Sequence, residues 1–236
     1  MKFGFLKDKK YDSDYFLKLA IMTRHNSLVL KDKALHIFKD DENSKHGLFL
    51  RYTAFEELQK ALFCMLVHRK FVYIEKILPV FSDHKAKIIL FEKIFNSKKG
   101  LSIHNNELIV DGMPLKELDF EDIFKEFENF SKEYMAKRND CLYIRPTESG
   151  YYSPNFKENI SKERERLNDE STALNFLFNV LWKYDFKGIV DGFEYYKLTP
   201  KDQPEKHNIT FAGGELIERK DYRPSWVDGL LKELEE

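Results

Sequence analysis

The sequence predicts a mainly α-helical bundle with one small β-hairpin and a C-terminal extension. Apolar residues recur at helical spacing over long stretches, and strand-like alternation is confined to one short segment. Only 10 Gly and 7 Pro punctuate 236 residues, which favours long helices over a turn-rich β fold. A chain of this length buries a sizeable core without disulfides. The aromatic fraction of 15%, with 21 Phe and 12 Tyr, supplies apolar surface beyond the needs of one bundle core, so a homodimer is expected.

The first helix is expected over residues 13–38. Phe16, Leu19, Ala20, Thr23, Ser27, Leu30, Ala34 and Ile37 lie at helical spacing, with Asp12 or Ser13 as N-cap. The second covers 45–68, where Leu50, Ala54, Leu58, Ala61, Leu62 and Met65 form one apolar arc. FVYIEKIL ends at Pro79, and Ser82 caps a helix through DHKAKIILFEKIF. LSIHNNELIVDG is a hairpin insertion over about 101–113, turning at Asn105-Asn106. A helix from Asp119 turns Phe120, Ile123, Phe124, Phe127, Phe130 and Tyr134 inward and runs on into MAKRNDCLYI. A last long helix spans 161–186, with its charged first half solvated and its second half packed. Residues 1–187 form the helical domain. Residues 188–236 are a loosely structured arm with Gly213-Gly214, Pro200 and Pro204, ending in the amphipathic WVDGLLKELEE.

Composition limits the function classes. A formal charge of −1, from 39 basic and 40 acidic residues, demands no polyanionic partner globally, although a local basic patch stays open. Cys64 and Cys141 form neither a CxxC pair nor a disulfide framework, which suits a reducing cytoplasm. No segment approaches the roughly 20 apolar residues of a membrane span, so a soluble, cytoplasmic protein without membrane association is expected. HExxH and paired CxxC motifs are lacking, and no metal or other cofactor is expected.

Three constellations could carry chemistry. In Glu56-Glu57-x-x-Lys60, the i,i+4 pair Glu56–Lys60 is expected on the surface. Glu57 falls between Leu50, Ala61 and Cys64 on the wheel and faces the core edge, as a helix-tying salt bridge or a carboxylate in a cleft. In Asp83-His84-x-x-Lys87, His84 and Lys87 share a helical face. His84 is either an ordinary surface histidine or a general base near neutral pH. In Arg138-Asn139-Asp140-Cys141-Leu142-Tyr143, Arg138 offers a planar fork for phosphate oxygens and Asn139 can orient it. Tyr143 can donate to an oxyanion, but is a poor base at pH 7. Otherwise this is a helix end with a favourable arginine and a packed tyrosine.

Taken in order, FLRYTAFEELQKALF, FSDHKAKI and RNDCLYIRP resemble three segments of AbiV-type abortive-infection proteins, over about residues 16–154. Those proteins are grouped with the HEPN superfamily of helical bundles, usually dimeric and often metal-independent endoribonucleases. The superfamily signature is an arginine, often a polar residue next, then a histidine four to six residues on. Arg138 and Asn139 fit, and Tyr143 stands where histidine is usual. The resemblance implies an anti-phage effector triggered by a phage-encoded protein and acting on RNA or the translation apparatus. In that role Arg138 holds a phosphate, Asn139 orients it and Tyr143 donates to it. His84 supplies the base, with Lys87 on its face, while Glu57 and Lys60 set the local field. The phage-encoded trigger is expected to bind the arm, with Tyr195, Tyr196, Tyr222 and Trp226 as aromatic anchors. The alternative is a catalytically inactive bundle that works only by gripping a partner.

Overall fold

The computed structural model describes residues 13–75, 84–95, 101–104, 106–141, 145–147, 150–152, 157–187, 189–191, 215–220 and 222–235. The fold is mainly helical, with small antiparallel sheets. Its helices are α1 (Ser13–Asp40), α2 (Lys45–His68), α3 (His84–Phe95), α4 (Phe120–Glu126), α5 (Glu128–Asp140), α6 (Lys157–Lys183) and α7 (Ser225–Glu235). The strands are β1 (Leu101–His104), β2 (Glu107–Val110), β3 (Met113–Pro114), β4 (Arg145–Thr147), β5 (Gly150–Tyr152), β6 (Tyr184–Lys187), β7 (Ile189–Asp191) and β8 (Glu215–Glu218). Among the described residues no helix is long and apolar enough to cross a membrane.

The centre of the bundle is α2. It packs along α1 and α6 and also touches α3 and α5, so side chains on every face of it are buried, from Leu48 and Tyr52 to Phe63 and Leu66. Both ends are locally specified. Ser44 is the N-cap and its hydroxyl accepts from the Gly47 N–H. At the other end Lys70 takes a left-handed φ of 60°, its N–H bonds to the Val67 carbonyl, and the Phe71 N–H reaches back to Leu66. Those two bonds are the Schellman pattern, with Phe71 and Leu66 buried beside each other's turn.

The hairpin forms where expected. His104 faces Glu107 and Leu101 faces Val110, leaving a two-residue loop in which Asn106 has φ 61°. It is not isolated, because β7 pairs antiparallel with β1 to give a sheet ordered β3-β2-β1-β7. The arm is therefore less loose than its sequence suggests: β8 pairs with β6, and α7 packs on α1 with Val227 fully buried. Tyr222 and Trp226, expected as outward anchors, are used internally. The Tyr222 carbonyl accepts from Trp182 Nε1 at 2.6 Å, and Trp226 Nε1 donates to Asp14 at 3.2 Å. Tyr195, Tyr196, Gly213 and Gly214 lie outside the described residues, as do Asp12, Pro79, Ser82, Asp83 and Asn105.

Three further expectations change. The helix after Asp119 is two helices, because the backbone at Phe127 leaves helical geometry (φ −104°, ψ 14°). The last long helix stops at Lys183, and Tyr184–Lys187 is a strand because β8 offers it a partner. The charged half of α6 is not simply solvated. Ile160, Leu167 and Leu174 are buried, and Arg166 bridges Glu163 at 2.9 Å and Glu170 at 2.8 Å, while the Tyr52 hydroxyl donates to Glu163 at 2.8 Å. Burial works against the Arg166 charge, but Glu170 and Glu163 outweigh it and hold the guanidinium protonated. The aromatic surplus goes largely into the core, where Phe55 meets Phe91 and Tyr52 meets Tyr134 edge to face.

Two glycines on helices should respond oppositely to alanine. A Cβ at Gly47 would lie 2.9 Å from the Phe38 ring, itself buried between α1 and α2. At Gly229 it would meet nothing within 4 Å. Gly47→Ala should cost about 1–3 kcal/mol of stability through overpacking, despite the better helix propensity of alanine. Gly229→Ala should be neutral or stabilise α7 by up to about 1 kcal/mol. Urea denaturation of both variants checks this.

Candidate functional site

A buried carboxylate on α2 gathers the three constellations that the sequence singles out. Glu56 is 1% exposed. Its Oε2 lies 2.5 Å from His84 Nδ1 at the start of α3. Its Oε1 lies 2.9 Å from Arg138 Nε near the end of α5. A carboxylate only accepts, so His84 Nδ1 carries the proton in that contact and Nε2 becomes the free ring nitrogen. The His84 side chain is 46% exposed, so its outer edge reaches water while its inner edge is held.

The arginine contact is electrostatically close but directionally imperfect. Glu56 Oε1 and Arg138 Nε are both buried, and neither makes an aligned hydrogen bond among the described residues. At 2.9 Å the two groups attract Coulombically whatever their alignment. The Arg138 guanidinium also lies 4.8 Å over the Phe49 ring, and its NH1 donates to Asn139 Oδ1 at 3.4 Å. Ring and amide fix the plane of the fork.

Lys87 completes the cluster. It lies one turn after His84 on α3 and is 2% exposed. Burial holds its ammonium below the ordinary lysine range, and Lys60 adds to this. Glu56 and Glu57 offset part of the shift, and Arg138 lowers it again. The same four charged side chains therefore surround it from α2 and α5. Tyr134, nearly buried on α5, has its phenol pushed up by burial and then by the Glu56 charge. Neither its hydroxyl nor the amide of Gln59, fully buried one turn after Glu56, has a hydrogen-bond partner among the described residues.

The structure thus brings Arg138, Asn139, His84 and Lys87 together and places Glu57 and Lys60 beside them, but the two glutamates exchange their expected positions. Glu57 pairs with Lys60 and accepts from Asn26 Nδ2 at 3.1 Å at the rim, whereas Glu56 is the buried one. The expected i,i+4 surface pair Glu56–Lys60 is replaced by the i,i+3 pair Glu57–Lys60. Tyr143 lies outside the described residues. Sequence reasoning missed Gln59 and Tyr134. For Gln59 the signal was a polar group within an otherwise apolar helical run, and for Tyr134 a place on the inward face of its helix. Cys64 and Cys141 are buried free thiols, and burial pushes both up, Cys141 to about 12 with Asp140 adding to it. Neither is therefore an activated nucleophile.

Chemically, the arrangement pairs a carboxylate-oriented imidazole with a buried ammonium and a forked guanidinium. That is the equipment for moving a proton beside a phosphate or other oxyanion. Among the described residues no three His, Cys, Asp or Glu side chains are grouped as ligands for a metal ion. Compared with family models, with curated proteins and with solved structures, the chain matches none.

A lysine held in this environment should be destabilising as a charge. Lys87→Met should raise stability at pH 7 by about 0.5–2 kcal/mol. The folded chain sheds the Lys87 proton more readily than the unfolded chain, so wild-type stability rises with pH up to the unfolded lysine value near 10.4. The advantage of methionine should therefore shrink between pH 7 and 10. Urea midpoints across that range read it directly, and a methionine variant less stable at every pH would contradict it.

Proposed function

We propose that the chain is an anti-phage effector of the abortive-infection type, on a HEPN-like helical scaffold, that acts on RNA through the cluster around Glu56. The observation that carries this is the convergence of His84 and Arg138 on one buried carboxylate. The three sequence segments with the AbiV resemblance are the ones that meet there.

The chemistry follows from the geometry. His84 Nε2, with Nδ1 committed to Glu56, takes the proton of a ribose 2′-hydroxyl. The 2′-oxygen attacks the adjacent phosphate and the bond to the 5′-oxygen breaks; the departing 5′-oxygen takes a proton from water, His84 returns its proton to solvent, and a 2′,3′-cyclic phosphate and a 5′-hydroxyl end result. Arg138 neutralises charge developing on the phosphoryl oxygens, with Asn139 orienting its fork. Lys87 adds positive field from behind His84, and Lys60 does so from the rim. Glu56 is the positioning residue for both His84 and Arg138. His84 thus fills the acid–base role for which Tyr143 is chemically unsuited. A homodimer and release by a phage-encoded trigger protein belong to the same proposal, since an unregulated nuclease would kill uninfected cells.

The second reading is a catalytically silent bundle that works by protein binding. The buried Glu56–Arg138 pair favours it, because such a pair also serves as a helix tie.

One substitution separates them. His84 is half exposed, so His84→Asn keeps the fold but removes the base. We expect wild-type cells to lower phage plaquing and to show new 5′-hydroxyl ends in total RNA after infection. The variant should lose cleavage by about a hundredfold or more and lose defence with it. Full defence by a folded His84→Asn protein would leave the binding reading standing.

A further inference from the structure

The second concentration of chemistry lies away from the Glu56 cluster, in a cleft of about 290 Å³ between α1, the end of α6 and the segment leading into α7. We infer that this cleft binds a mononucleotide, its phosphate held by Arg24 and Lys183 and its base lying against Trp182 and Tyr222. The inference goes beyond the RNA-cleaving proposal and does not rest on it.

The charge in the cleft is of one sign. Among the described residues its lining includes Arg24, His25, Lys183 and Arg223 and no carboxylate. Arg223 is already committed to Asp228, at 2.5 Å from NH2. Among the described residues Arg24 pairs with no acid. Its Nε donates to the neutral Asn175 amide at 3.2 Å, and its guanidinium lies 4.8 Å over the Phe178 ring. Burial holds that guanidinium below the ordinary arginine range. A half-buried cation matched only by an amide and a ring gains a charge-assisted partner when an anion arrives.

Phe178, Trp182 and Tyr222 supply rings to the remaining walls, beside the aliphatic Ile21, Leu28 and Leu231. Trp182 is clamped through its Nε1 to the Tyr222 carbonyl, and the two rings meet edge to face at 6.2 Å and 81°. Trp226 Nε1 bonded to Asp14 seats α7 on α1 and so closes that side. Inorganic phosphate would need the cations but not the rings. A planar base carrying a phosphate uses both, and the volume lies near the lower end for small-ligand sites.

Calorimetric titration of the full chain with AMP, GMP, CMP and UMP tests this, with adenosine and inorganic phosphate as separate arms. At least one monophosphate should bind with a Kd below about 1 mM, and tighter than either adenosine or phosphate alone. Arg24→Gln and Lys183→Gln should each weaken it, the first by about tenfold or more, the cost of one charge-assisted contact. Both variants should melt like wild type without ligand. The inference falls if no monophosphate binds at up to about 5 mM, or if phosphate alone binds as tightly. It falls equally if both folded variants bind like wild type, or if an acidic peptide occupies the cleft and no nucleotide does.

Discussion

Glu56 sits on the most enclosed helix of the bundle, and a carboxylate there costs several kcal/mol unless partners meet it. The partners come from two other helices, His84 from α3 and Arg138 from α5. Removing Arg138 takes the permanent positive charge away from a carboxylate that is 1% exposed. The constraint therefore fixes more than one bond: it sets where the start of α3 and the end of α5 stand relative to α2. It also orients an imidazole outward and places a guanidinium beside it. Lys87 is tolerated in the same neighbourhood because Glu56 and Glu57 offset part of its burial penalty.

Much of this was legible in the sequence, and the failures share a cause. The limits of α1, α2 and the hairpin follow from apolar spacing, the Ser44 cap and the Asn106 turn. The residues of the cluster were legible too, as three polar motifs on helices. Which glutamate is buried was not. A helical wheel with one apolar arc assumes a helix with one wet face, and by that logic Glu57 faces the core edge. Because α1, α3, α5 and α6 surround α2, it has almost no wet face over its middle turns, and Glu56 points at α3 and α5 instead. The charged half of α6 misleads for a related reason. Its Glu163, Arg166 and Glu170 neutralise one another and so lie against α2 rather than in bulk water. Strand β6 depends on β8 about thirty residues away, and no local pattern in WKYDF encodes that pairing.

The two concentrations of chemistry divide the molecule by role. One is built around a buried acid, with an imidazole, a guanidinium and an ammonium gathered to it. The other is a cleft lined, among the described residues, by cations and aromatic rings and by no acid. Among the described residues the C-terminal segment lines the second through Tyr222, Arg223 and Leu231 and none of them reaches the first.

All of this depends on Glu56 and Arg138 being energetically coupled across α2 and α5. A double-mutant cycle with Glu56→Gln, Arg138→Met and the double variant, followed by urea denaturation, measures that coupling. Each single variant strands a partner and should cost about 3–5 kcal/mol, while the double variant should cost much less than their sum. We expect a coupling energy of about 2 kcal/mol or more. Costs that add to within about 0.5 kcal/mol would show two independent side chains, and the account of the site would fail with them.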